Sequence, residues 1–115
     1  MTMSSDCLFC RIVRREIPAA IVREDEHTLA FRDIDPKAPT HVLVIPKTHV
    51  PSLGDSPDAA TLGRLLLAAA EIAKAEGIQA SGYRTVINTG ADAGQTVHHV
   101  HVHLLGGRHL KWPPG

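Results

Sequence analysis

Gln95-Thr96-Val97-His98-His99-Val100-His101-Val102-His103-Leu104-Leu105 is the stretch that decides the fold. From His99 to Leu104, histidine and aliphatic residues alternate with a period of two. That is the period of a β-strand, in which successive side chains point to opposite faces. His99, His101 and His103 therefore share one face, with about 7 Å between neighbours by strand geometry. Val100, Val102 and Leu104 take the other face and need a hydrophobic partner. A solvated strand face is ordinarily built from Lys, Glu, Thr and Ser. Three imidazoles in strict alternation point instead to acid/base, nucleophilic or metal-binding chemistry near neutral pH.

The neighbouring segments supply the rest of the sheet and the partner. His41–Pro46 is apolar on both faces, so it reads as a central strand. Strands are also expected over 20–24, 27–34 and 83–88. A short helix is expected from about Cys7 to Arg15, capped by Ser5-Asp6 and ended by Ile17-Pro18. One long helix, about 58–76, opens at Pro57-Asp58 and closes at Gly77. Its buried stripe is read as Leu62, Leu65, Leu66, Ala69, Ile72 and Ala73. The class is α+β, a five-stranded antiparallel sheet with one long helix and a short N-terminal one. With 115 residues, the chain is expected to form a single domain, 1–115, including a tail over 108–115.

Composition narrows the function. Apolar residues make up 43% of the chain, an ordinary globular value. Twelve basic residues balance twelve acidic ones, so no field exists to hold a nucleic acid by counterion release. Aromatic residues, at 3%, are too few for a stacking platform along a single strand. No apolar run approaches the roughly 20 residues of a membrane span, and no signal peptide is evident. A cytoplasmic protein is expected, without nucleic acid or membrane partners.

His99-Val100-His101-Val102-His103-Leu104-Leu105 resembles the signature of the histidine-triad superfamily. The resemblance runs from Cys10–Pro18 through Ala38–Lys47 to Leu105-Gly106-Gly107-Arg108 and Trp112-Pro113-Pro114-Gly115. The last of these looks like the Hint branch, whose members are purine nucleoside phosphoramidases. The resemblance implies hydrolysis of the bond between the α-phosphate of a purine nucleoside monophosphate and an amine. It implies His101 as nucleophile, forming a nucleotidyl-histidine, with His103 beside the phosphate or leaving group. It implies Asp33 on the ribose hydroxyls, and Phe9, Ile12, Phe31 and Ile34 around the purine. Asn88, Gln95 and Thr96 fall beside the α-phosphate, and His41 is a supporting histidine near the triad. A homodimer is also implied, with the sheet extended across its axis and Trp112 reaching the partner's active-site mouth.

Cys7 and Cys10, at a Cys-x-x-Cys spacing, are half of a zinc site. His49 and His99 can complete it, an arrangement similar to a structural zinc in other branches of the superfamily. Many Hint-branch members lack the cysteine pair, and free thiols or a redox pair are the alternatives. His98 stands where Hint relatives usually carry an aromatic, and is expected on the face opposite His99. No organic cofactor is expected. Two other functions stay open: a dinucleoside polyphosphate hydrolase, and a non-catalytic nucleotide- or zinc-binding module.

Overall fold

The computed structural model describes residues 6–115. A short helix, α1 (Leu8–Val13), leads into β1 (Ile21–Glu24), β2 (Thr28–Arg32) and β3 (Thr40–Pro46). The long helix α2 (Ala59–Ala75) follows, then β4 (Tyr83–Val86) and β5 (Val102–Gly106). Single 3₁₀ turns at Leu53–Asp55 and Ala91–Ala93 punctuate the two long connections. The five strands form one antiparallel sheet in the order β1-β2-β3-β5-β4. β3 lies in the middle, as its two apolar faces require, and all seven of its residues are buried.

Alternation along the strands builds two cores, one on each side of the sheet. Val42 and Val44 of β3, Ala30 of β2, and Val102 and Leu104 of β5 pack on Leu65, Ala68, Ala69, Ile72 and Ala73 of α2. On the opposite side, Leu29, Phe31, Leu43 and Ile45 pack with Phe9 and Ile12 of α1. The triad histidines belong to this second side. The long helix therefore supports the sheet from behind, and the short helix roofs the site.

Several expectations change. The apolar stripe of α2 includes Ala68, while Leu66 is 44% exposed and Leu62 only half-buried. Ser5 lies outside the described residues, and the cap of α1 is Cys7, whose Sγ accepts the Cys10 N–H. α1 stops at Val13, because Arg15 takes a left-handed conformation (φ 63°) that ends the helical path. Ile17-Pro18 lies beyond that end. β1, β2, β4 and β5 are shorter than read, with β5 starting at Val102 and not at His98, while β3 begins one residue earlier, at Thr40.

Gly106-Gly107 is a packing requirement. A Cβ on Gly106 would lie 2.5 Å from Ile78 Cδ1, and one on Gly107 2.9 Å from Pro39 Cβ. Gly107 also has φ +90°, a region that L residues rarely enter. The chain turns there out of β5 and into the tail.

Candidate functional site: the histidine face and the Cys/His cluster

The segment 98–101 leaves the ladder for a physical reason. Pairing of β3 with β5 ends at Val44–Val102. The Pro46 carbonyl accepts instead from the His99 ring, Nε2 to O 2.8 Å, and the Val100 N–H donates to Val50 O at 2.7 Å. A side chain thus replaces a ladder bond. The alternation nevertheless survives, and His99, His101 and His103 all face the α1 side. The rings come closer than strand spacing alone gives. His101 and His103 have centroids 4.9 Å apart, and Phe9 meets His99 at 5.9 Å and His101 at 5.1 Å, edge to face.

Hydrogen bonding assigns the tautomers. His101 Nδ1 lies 2.7 Å from the carbonyl of His99, which can only accept. Nδ1 therefore carries the proton, and Nε2 keeps a free electron pair. His103 is set the other way. The Lys37 backbone N–H donates to His41 Nδ1 at 3.0 Å, so His41 carries its proton on Nε2. That Nε2 lies 2.9 Å from His103 Nδ1 and donates to it, which leaves the His103 proton on Nε2. One ring offers a lone pair, and its neighbour offers a donor.

The electrostatics keep the rings neutral. Burial lowers the pKa of His101, against the opposing pull of its bond to the His99 carbonyl and of the Asp33 charge. Burial, with the adjacent His101 and His41, pushes His103 down to about 4. His41 is lowered by burial too, with Asp33 partly countering. Neutral imidazoles are the state a nucleophile and a tautomer-specific donor both need.

Two cavities meet at Asp33. An apolar one of about 360 Å³ is lined by Phe9, Ile12, Phe31, Ile34, Leu43, Thr96 and Asp33. Phe9, Ile12 and Phe31 are buried and form its floor, while Ile34 is fully exposed at its rim. The second, about 400 Å³, sets the polar groups of His103, His41, Asn88, Asp35, Lys37 and again Asp33 among Val86, Leu105 and Pro114. Asp33 accepts the Asp35 N–H at 2.8 Å through Oδ1, and its Oδ2 lies 3.5 Å from His41 Nε2.

Not every residue read as substrate-facing is free to be so. Gln95 is buried, and its side chain is fully engaged. Oε1 accepts the Gly90 N–H at 2.9 Å, and Nε2 donates to the carbonyls of Pro51 (2.8 Å) and Val97 (3.1 Å). Its backbone N–H is bound to Gly90 O at 3.1 Å. Gln95 latches the β4–β5 connection onto the β3–α2 connection and so positions Thr96 and the approach to the triad. Trp112 is 78% exposed, with the Arg84 guanidinium over its ring. His98 is exposed and lines a third cavity beside Cys7 and His49. Sequence reading missed the backbone of Lys37, since nothing in a side-chain pattern marks an amide as the group that sets a histidine tautomer.

Cys7, Cys10, His49 and His99 converge, with their ligand atoms within 4.8 Å of one another. His99 Nδ1 is 3.3 Å from Cys7 Sγ, 3.5 Å from Cys10 Sγ and 3.2 Å from His49 Nδ1. Cys10 Sγ is 3.2 Å from His49 Nδ1. A tetrahedral ion with metal–nitrogen and metal–sulfur bonds of about 2.0–2.3 Å sets its ligands about 3.3–3.8 Å apart, so the cluster fits a metal. The donation from His99 Nε2 to Pro46 O leaves Nδ1 bare and aimed inward, the outer support that metal-binding histidines need. Asp33, His41 and His103 also lie close together, but their chemistry is different. His41 Nε2 bears a proton and donates it, so it has no lone pair for an ion.

The HIT domain family model matches residues 14–110. The chain belongs to the HIT family. A purine nucleoside phosphoramidase of Escherichia coli (strain K12) is 48% identical to this HIT protein, over 94% of the chain and 92% of the relative. A 14 kDa zinc-binding protein of Zea mays is 50% identical, over 96% of the chain and 89% of the relative. Among solved structures, a HIT family hydrolase from Legionella pneumophila Philadelphia 1 superposes with a TM-score of 0.93 at 51% identity. That match covers 96% of this HIT chain and all of the other.

Proposed function

We propose that this HIT protein is a purine nucleoside phosphoramidase that works through a nucleotidyl-histidine intermediate. The observation that carries the reading is the opposed tautomer pair. His101 presents a lone pair on Nε2, and His103 presents an N–H, side by side on one face. The 48% identity to the Escherichia coli phosphoramidase supports the choice of reaction. The two cavities divide the substrate. The apolar slot of Phe9, Ile12, Phe31 and Ile34 takes the purine, and the cavity beside His103 takes the leaving group. Asp33, which lines both, takes the ribose hydroxyls. Asn88 and Thr96 flank the phosphate, with Gln95 holding the loop that carries Thr96.

His101 Nε2 forms a bond to phosphorus as the P–N bond of the substrate breaks, and the amine leaves with a proton taken from solvent, which the attacking water returns in the second step. The imidazole then bears a positive charge, which the His99 carbonyl stabilises through the Nδ1 proton. The His103 Nε2–H faces a phosphate oxygen as charge builds there. Water then attacks phosphorus, expels the imidazole of His101 and yields the nucleoside monophosphate.

Cys7, Cys10, His49 and His99 would hold a zinc ion in a structural role. Four protein ligands leave no open position for water. The zinc-binding relative of Zea mays supports that metal. We place the protein in the cytoplasm; among the described residues, no helix is long and apolar enough to cross a membrane.

The test is a quenched reaction with adenosine 5′-phosphoramidate labelled at phosphorus. Label trapped on His101, and absent from His101→Asn, is the expected result. Turnover with no trapped label and a fully active His101→Asn protein would overturn the mechanism. Preferential cleavage of diadenosine tetraphosphate would reassign the substrate.

A further inference from the structure

The C-terminal tail does not rest on apolar burial, yet it follows a defined path. Two arginines guide it. Arg108 comes first: its Nε and Nη2 donate to the Lys37 carbonyl at 3.1 and 2.8 Å, and its Nη1 donates to His109 O at 3.0 Å. Arg84 comes next, and it reaches up from β4. Its Nη2 donates to the Leu110 carbonyl at 3.3 Å, and its guanidinium lies 5.7 Å from the centroid of the Trp112 ring. Two residues later, Pro114 lines the cavity that contains His103, Asn88 and Lys37.

The register explains how a residue on a sheet edge reaches the site. Arg84 lies opposite Leu105, and Val86 lies opposite His103. Side chains two apart on a strand share a face. Arg84, Val86, Leu105 and His103 therefore form one patch of the histidine side of the sheet. Val86, Leu105 and His103 line the cavity itself, while Arg84 stands at its far end, under the tail.

We propose that Arg84 is a positioning residue for substrate selection: it pins Leu110 and Trp112 so that Pro114 forms a wall of the leaving-group cavity beside His103. This rests on the phosphoramidase reading for its substrate, but not for the clamp itself. Arg84 suits the task because a planar guanidinium can stack on an indole and donate to a carbonyl with the same group. With the clamp released, the wall swings away, and bulky amines gain access relative to small ones. The nucleophile and His103 are untouched, so cleavage of the smallest amide should persist.

Trp112 is the sole tryptophan, so its fluorescence reads the tail directly. Arg84→Ala, Arg84→Lys, Trp112→Ala and the double variant Arg84→Ala/Trp112→Ala are compared with the wild type. The substrates are adenosine phosphoramidates of ammonia and of phenethylamine. In Arg84→Ala, acrylamide quenching of Trp112 should rise. The ratio of kcat/KM for the two amides should shift by about three- to tenfold, the scale of one cation–π contact with its hydrogen bond. Arg84→Lys, which keeps the charge but loses the planar fork, should shift less. In the double variant, Arg84→Ala should add nothing to Trp112→Ala, since both act through the same tail. Unchanged quenching in Arg84→Ala, or two independent additive effects on selectivity, overturns the proposal. A wild type inert toward both amides overturns the phosphoramidase reading, and quenching then still decides whether Arg84 holds the tail.

Discussion

His101 and His103 carry the same ring and hold their protons at different atoms. What separates them is the partner of Nδ1, a carbonyl in one case and the Nε2–H of neutral His41 in the other. His101→Asn keeps approximate size and polarity but cannot attack phosphorus. Nucleotide binding should survive, and kcat should fall by at least about a thousandfold, as measured by single-turnover kinetics. The same burial has a stability consequence. His103 is held near 4 in the folded protein against an ordinary 6.5. Between those values the unfolded chain binds more protons, so stability rises with pH there. This contribution is present in full above about pH 6.5 and is lost as the pH falls toward 4. Thermal melts should show Tm dropping across that window, on the order of 5 °C. His103→Asn, which has no such group, should flatten the drop.

At the scale of elements, the two helices differ in what keeps them in place. α2 is capped by Asp58, whose carboxylate accepts the Thr61 N–H at 2.7 Å, and it is buried along one stripe. α1 has six residues, too few to stand alone, and its cap is a cysteine thiol. Cys7 and Cys10 belong to α1, while His49 and His99 come from the loops beyond β3 and before β5. A metal there would staple the roof of the site to the sheet. Zinc content should therefore be close to one per chain and should collapse in Cys7→Ser or Cys10→Ser. Chelation should lower Tm by about 10 °C or more. Zinc below a tenth of an equivalent in protein never exposed to chelator would overturn the assignment. Gly106 tests packing in the same way. Gly106→Ala pushes a methyl into Ile78 and should cost about 1–3 kcal/mol in urea denaturation.

These elements also mark where the sequence was legible. Period-two alternation assigned the faces of β3 and of the triad, because burial on each side is fixed by the pleat. It did not reveal that 98–101 leaves the ladder, since a histidine ring bonding to Pro46 O is a tertiary event. Leu66 read as buried because helical spacing permits it, yet the sheet covers a narrower stripe through Ala68 and Ala69. The cluster of Cys7, Cys10, His49 and His99 was accessible from ligand chemistry. The engagement of Gln95 was not, because an amide inside a glycine-flanked loop looks the same whether it faces a phosphate or three backbone groups.

At the scale of the whole molecule, the unpartnered surfaces are the argument. α2 leaves Leu66 44% and Leu67 68% exposed on the side away from the sheet. Two neighbouring leucines turned outward are costly in an isolated chain, and a helix apolar beyond one stripe calls for a second partner. β4 is an edge strand next to β5, with Tyr83 37% exposed and its outer backbone groups open to pairing. α2 lies over β3 and β5 in the middle of the sheet and reaches β4 on one side and β2 on the other. A two-fold contact uses one patch twice, and such a contact would cover the leucines helix against helix while joining β4 to its copy. The expected assembly is therefore a homodimer with a continuous sheet. Light scattering at micromolar concentration should give the dimer mass. Leu67→Glu would place two like charges near the axis and should shift the equilibrium to monomer while leaving the far-UV circular dichroism unchanged. A wild type that scatters as a monomer at that concentration would refute the dimer. The triad and its two cavities would stand regardless, since every contact that sets the tautomers lies within one chain.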